Sequence, residues 1–235
     1  AEILGGRVKT LHPVVHAGLL ARRGHEGDAA EMAAFRYESI DLLAVNTYGG
    51  LATLPASIRG AGWTGAYMVT EWGPTGHWEG LSTDWKSPIE ETSSEKAAVY
   101  KSRYLYSVER DKQNCIGSYV FLWGQKQERT PTWYGIFTEK GEESEVVDVM
   151  HFLWSGNWPK NRAPHLYSFQ VDNKVAVQNV YLNPGASYSA KVNAFDPDND
   201  KLTFRWELLP EATQLGEGGD YEPRPKTIDG LVKPD

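Results

Sequence analysis

The stretch Ala66-Tyr-Met-Val-Thr-Glu-Trp-Gly-Pro74 sets the tightest limit on the fold. A short apolar run stops on a carboxylate, then on Trp72, then on a Gly-Pro break. A run of this length between breakers reads as a buried strand of a parallel sheet. Two other runs share the form. Ile40-Asp-Leu-Leu-Ala-Val-Asn46 leads into Thr47-Tyr-Gly-Gly50, and residues 116–123 end on Trp123 and Gly124. Helical signals alternate with these strands. Residues 54–59 form a short helix closed by Gly60. Thr92-Ser-Ser-Glu95 is a capping box that opens a helix to about Asp111, with Ala98, Tyr104, Leu105 and Val108 facing inward. Residues 142–154 form a helix whose acidic first turn suits the macrodipole. A further short helix is expected after Asp28 and Glu31. Strand and helix in strict alternation imply an α/β fold with a parallel sheet and right-handed crossovers.

Composition narrows the classes. The chain has 235 residues, 40% hydrophobic and 23% charged, with a formal net charge of −7. Those values fit an ordinary soluble domain or two small ones, and the acidic balance argues against nucleic acid as a partner. No run is long and apolar enough to suggest a membrane partner. One cysteine, Cys115, excludes an internal disulfide framework and leaves the compartment open. Nine Trp and twelve Tyr suit both core packing and stacking on flat ligands.

Beyond residues 155–164, a linker by composition, the pattern changes. Residues 168–171, 175–181, 187–194 and 202–207 alternate in hydrophobicity between turn residues, as in a β-sandwich. The tail from Gly216 is rich in Gly, Pro and charge and reads as poorly ordered. Asp196-Pro-Asp-Asn-Asp200 offers alternating carboxylates, so Asp196, Asp198 and Asp200 are weak Ca²⁺ candidates. Lys201 stands where an EF-hand needs glycine, and a plain Asx-rich turn is the favoured reading.

Three strand-end motifs, Val45-Asn-Thr-Tyr-Gly-Gly50, Val69-Thr-Glu-Trp-Gly-Pro74 and Tyr119-Val-Phe-Leu-Trp-Gly124, resemble those of retaining glycoside hydrolases with a family 2-type TIM barrel. The resemblance covers residues from about 41 onward. It implies the last three βα units of a barrel, residues 41–155, followed by a truncated Ig-like sandwich over 165–235. It makes Glu71 the nucleophile, Tyr48 its hydrogen-bond partner, and Trp123 the floor of a carbohydrate site. Trp72, His77 and Glu128 are further substrate-binding candidates, and no cofactor is implied. Retaining hydrolysis needs a second carboxylate about 5–5.5 Å from the first. In this family the acid follows an asparagine, and no Asn-Glu pair occurs in the sequence. The expectation is an incomplete, inactive fragment.

Residues 1–45 carry a different signal. Glu2-Ile-Leu-Gly-Gly-Arg-Val-Lys-Thr-Leu-His-Pro13 and Val15-His-Ala-Gly-Leu-Leu-Ala-Arg-Arg23 resemble the cyclohydrolase domain of the IMP cyclohydrolase/AICAR transformylase family. That resemblance implies purine biosynthesis, with Arg7, Lys9 and Thr10 as contacts to a purine nucleotide. Cations and a hydroxyl suit phosphate oxygens. His12 and His16 lack a third ligand, so a zinc site is not expected. The chain therefore reads as a chimera. Its main reading is a glycosidase fragment, periplasmic or secreted by resemblance. The alternative is a cytoplasmic purine-biosynthesis protein, and a second alternative is a carbohydrate- or surface-binding module.

Overall fold

A computed structural model describes residues 42–216 and 219–233. The chain divides into two compact units, one of residues 42–72 with Leu105–Val120, the other of Gly73–Tyr104 with residues from Phe121 onward. The helix proposed after Asp28 and the Arg7, Lys9 and Thr10 site lie outside the described residues.

The first unit is a parallel sheet in the order β1 (Leu43–Asn46), β2 (Tyr67–Trp72), β3 (Cys115–Val120). Between β1 and β2 run a 3₁₀ turn, Gly49–Thr53, and helix α1, Leu54–Gly60, which places Pro55 in its first turn. Proline is tolerated there because its missing N–H has no intrahelical partner to lose. The core consists of Val45, Leu51, Ile58, Tyr67, Val69 and Trp72, all fully buried. Tyr67 brings a hydroxyl into it. That hydroxyl lies 3.0 Å from the Ser107 carbonyl and 2.8 Å from Asp111 Oδ2. Burial, followed by the Asp111 contact, raises its pKa above the ordinary tyrosine range. The third strand departs from expectation. Residues 116–123 read as buried on both faces, yet Ile116 and Tyr119 are exposed. Among the described residues β3 has β2 as its sole ladder neighbour, and an edge position spares half of its side chains from burial.

The second unit opens on the capping box. The Thr92 backbone N–H donates to Glu95 Oε2 at 2.8 Å, and the Glu95 N–H donates back to Thr92 Oγ1 at 3.3 Å. Helix α2 then runs over Ser93–Tyr104. Its buried positions include Ala97 and Tyr100, while Ala98 is exposed. The helix thus buries a face offset from Ala98 and Leu105, although Val108 is buried as expected. The reason is Lys96, a charge that periodicity assigns to solvent. It is buried because its ammonium pairs with Glu90 and donates to the Thr132 carbonyl at 2.6 Å. After Tyr104 the chain passes into a π-helical turn, Leu105–Glu109, which returns it to the first unit.

Helix α3, Glu145–Ser155, starts after Ser144 and ends on Gly156, which takes φ 77° and donates to the Phe152 carbonyl at 2.8 Å. Its acidic first turn is present but not solvated. Asp148 is fully buried and accepts the Ala163 N–H at 2.7 Å. Burial raises its pKa, against the lowering effects of that N–H and Arg162. Strands β4 (His165–Val171) and β5 (Ala190–Phe195) pair antiparallel, with a register shift between Leu166 and Ser168. The Leu166 N–H donates to Ser94 Oγ at 2.8 Å and ties β4 to the start of α2. A cavity of about 860 Å³ opens beside this pair, lined in part by Tyr100, Ile136, Phe169, Val192 and Phe204.

Three expectations for this region change. Residues 175–181 contain a 3₁₀ turn, Ala176–Gln178, instead of a strand, and Asn179 follows at φ 54°. Residues 202–207 form no ladder. The C-terminal segment, read as poorly ordered, buries Glu222 to 2% exposure. No helix among the described residues is long and apolar enough to cross a membrane.

Candidate functional site

In the first unit, β-sheet register builds a carboxylate site. β1 and β2 pair in step from Leu43↔Tyr67 to Val45↔Val69, then slip so that Asn46 faces Glu71. Such an irregularity re-aims the side chains beyond it. Asn46 now reaches Glu71 with its amide: Nδ2 donates to Oε2 at 3.4 Å, while Thr70 Oγ1 donates to Asn46 Oδ1 at 2.6 Å. The second bond orients the amide, since its oxygen is engaged and its nitrogen must face Glu71. Tyr48, itself buried, donates to Glu71 Oε1 at 2.8 Å. The expected Tyr48–Glu71 pair is therefore present, and Asn46 and Thr70 extend it. Trp72 is fully buried and fills the core beside them.

This arrangement holds a carboxylate at the C-terminal ends of parallel strands, with a donor on each of its oxygens. It can accept a cation or a hydroxyl, or act as a base. The other described carboxylates of the unit are committed elsewhere. Glu109 pairs with Lys112 at 2.7 Å. Asp111 takes the Tyr67 hydroxyl and the Asn114 amide, at 2.8 and 2.7 Å. Neither is available to Glu71 as a proton-donating partner.

A second polar constellation lies in the other unit. His77 Nε2 is 3.2 Å from Arg129 Nη2. A guanidinium only donates, so Nε2 carries the lone pair and Nδ1 the proton. Nδ1 then donates to the Tyr134 hydroxyl at 2.8 Å, and the His77 backbone N–H reaches the same oxygen at 3.2 Å. Glu128 lies 3.9 Å from Nδ1 and takes Lys126 Nζ at 2.7 Å. The His77 pKa is lowered, first by burial and then by Arg129, against the raising influence of Glu128 and Glu222. Neutral imidazole is thus the resting form at neutral pH. Trp78 stacks on Tyr134 at 6.3 Å between centroids and meets the His77 ring edge-on at 4.9 Å.

The structure brings His77 and Glu128 together, as it does Tyr48 and Glu71. Trp123 stands apart from the His77 group within its unit. It packs against Phe137 at 5.3 Å and Trp154 at 5.6 Å. Arg129, Tyr134 and Glu222 had no sequence signal of their own. Arg129 takes φ 64°, a conformation unusual for a residue with a side chain, and that alone sets its amide apart from the neighbouring loop.

Asp196 closes a turn on itself: Oδ1 accepts the N–H groups of Asp198 and Asp200 at 2.8 and 3.2 Å. Asp198 Oδ2 accepts the Arg162 N–H at 2.7 Å. Among the described residues no group of three or more side chains is placed to hold a metal ion.

No family model matches the chain. Curated relatives match a short stretch of it. The Bifunctional purine biosynthesis protein PurH of Synechococcus elongatus is 57% identical over 53 residues, 23% of this chain and 10% of that protein. PurH of Chloroflexus aurantiacus is 58% identical over 53 residues, with the same 23% and 10% coverage. PurH of Myxococcus xanthus is 60% identical over 47 residues, 20% of this chain and 9% of the relative. The chain thus spans about 10% of the length of these relatives. The purine-enzyme resemblance is supported over that stretch. The same finding corrects the main functional reading. The relatives carry a purine-biosynthesis name, they favour the alternative over a glycoside hydrolase, and none supports a carbohydrate substrate.

Proposed function

We propose that this chain carries a segment of a purine-biosynthesis enzyme and binds a purine nucleotide there. The observation that carries the reading is identity of 57% over 53 residues to a Bifunctional purine biosynthesis protein PurH. We place the matched stretch at the N-terminal end, where Arg-Val-Lys-Thr-Leu-His-Pro begins at Arg7. Arg7 and Lys9 supply cations for phosphate oxygens and Thr10 a hydroxyl donor. Isothermal titration of the full chain with IMP tests this. Saturable binding is expected, weakened about ten- to a hundredfold by Lys9→Ala, the worth of a hydrogen bond to a charged group. Absence of saturable binding, or equal binding by an Arg7→Ala/Lys9→Ala variant, would refute the reading.

We further propose that residues 41–155 are the last βα units of a barrel and residues 165–235 part of an Ig-like sandwich. The parallel order β1-β2-β3 and the antiparallel β4–β5 pair support this. An experimental structure with helices on both faces of an open β1–β3 sheet would refute the barrel assignment.

A further inference from the structure

Glu222 is the most deeply buried carboxylate of the C-terminal segment, at 2% exposure. Its side chain reaches 93 residues back along the chain. Oε2 accepts the backbone N–H of Arg129 at 2.7 Å, and Oε1 accepts that of Gly216 at 3.0 Å. The receiving loop is shaped for an acceptor. Arg129 sits at φ 64°, and a short bridge between Glu128 and Thr130 fixes the residues on either side. This turns the Arg129 N–H out of the loop's own bonding. The delivering segment is stiff. Pro223 and Pro225 flank Arg224, whose Nη2 is held by Glu207 at 3.2 Å.

The loop has more polar capacity than Glu222 uses. Arg129 Nε and both amide atoms of Gln127 are buried and have no hydrogen-bond partner among the described residues. Buried polar groups without partners are costly in a purely structural contact. They are explained if a carboxylate freed from the Glu222 backbone can shift to engage donors that the tethered side chain leaves unused. Lys126 is paired with Glu128 at 2.7 Å and His77 is held neutral by its neighbours, so Arg129 supplies the uncompensated positive charge of the loop. The net preference is for an anion.

We propose that the loop of residues 126–130 is a carboxylate-binding site that Glu222 fills in cis, and that a carboxylate presented by a small acid or an acidic peptide competes with Glu222 for it. Glu222 acts as an internal ligand, and occupancy by another acid releases its segment. The site uses none of the residues proposed to contact a nucleotide, and its test does not depend on that reading.

The test uses the full chain with Glu222→Gly. Propionate is titrated against it, with isosteric, neutral propionamide as control. The readouts are the Arg129 amide resonance and the thermal midpoint. Propionate is expected to return both toward parent values saturably, with at least about tenfold tighter binding than propionamide and than propionate binding to the parent, about 1.4 kcal/mol in each comparison. A peptide, acetyl-Tyr-Glu-Pro-Arg-amide, then separates the two sources. Tighter binding than propionate assigns the site to peptides, and equal binding assigns it to free acids. Adding Gln127→Ala is expected to weaken propionate several-fold, because the surplus donors would be in use. If Glu222→Gly does not fold, Glu222→Gln keeps the shape, and the same peptide is expected to bind it but not the parent. Propionate and propionamide acting alike on Glu222→Gly overturns the proposal. So does equal peptide binding by parent and Glu222→Gln.

Discussion

Tyr67→Phe is the sharpest test of how the first unit is held together. The tyrosine is fully buried, and phenylalanine fills nearly the same volume, so the substitution leaves no sizeable cavity. What it removes is one hydroxyl between two acceptors, the Ser107 carbonyl at 3.0 Å and Asp111 Oδ2 at 2.8 Å. A hydroxyl has one proton to donate. It goes to the carboxylate, the closer and charged acceptor, and the carbonyl gains only a favourable dipole. The loss is therefore one hydrogen bond to a charged group, worth about 1.5–3 kcal/mol. Asp111 keeps the Asn114 amide, which places the expected loss near the lower end, about 2 kcal/mol. Urea unfolding followed by tryptophan fluorescence measures it as a lowered midpoint at unchanged slope. A cycle with Asp111→Asn isolates the pair, with a coupling of about 1 kcal/mol or more. Loss below about 0.5 kcal/mol, the scatter of ordinary surface changes, would refute the assignment of the proton to Asp111. The pH dependence gives a second check. The folded pKa of Tyr67 is raised, so the folded state holds its proton longer than the unfolded chain. Stability is then fully present below about pH 10 and falls as pH rises through and beyond that value. In Tyr67→Phe this alkaline loss is expected to shrink.

Two further outcomes follow from the second unit. Thr92→Ala removes one half of the capping box at α2 and should cost about 0.5–2 kcal/mol, read by chemical denaturation, with Thr92→Ser close to the parent. His77 has a lowered folded pKa, so below about pH 6.5 the unfolded state takes up its proton first. Its contribution to stability is present above that pH and declines as pH falls; His77→Gln should flatten the profile below about pH 6.5, and an unchanged slope would count against neutral imidazole in the fold.

The elements most legible in the sequence are those whose signals are local. The run ending at Glu71 is a strand, Thr92-Ser-Ser-Glu95 is a capping box, and the helix before Gly60 stands where breakers place it. What escaped is whatever depends on partners far along the chain. Lys96 turns inward because Glu90 and Thr132 are there to receive it. Ile116 and Tyr119 are exposed because β3 lies at an edge among the described residues, a fact of sheet order that hydrophobicity does not encode. Residues 175–181 have the alternation of a strand but follow Asp172 and Asn173, both at positive φ, which turn the chain before any ladder forms. The tail was read by its Gly and Pro content, yet one buried glutamate secures it. Of the candidate sites, the contact of Tyr48 with Glu71 is legible through the resemblance of the strand-end motifs, which sets both residues just past adjacent strands. Of the His77 group only His77 and Glu128 are legible, because Arg129 and Tyr134 stand 52 and 57 residues from His77 and arrive from a loop.

The sheet order also sets a kinetic pattern. β2 lies between two neighbours, so its amides can bond on either side, whereas β1 and β3 each meet one described partner. In a parallel strand successive N–H groups point to opposite sides. Deuterium exchange should therefore be slow throughout β2 and alternate, slow then fast, from one residue to the next along β3. Residue-resolved exchange on this strand would report, without any ligand, whether another chain segment has come to lie along its outer edge.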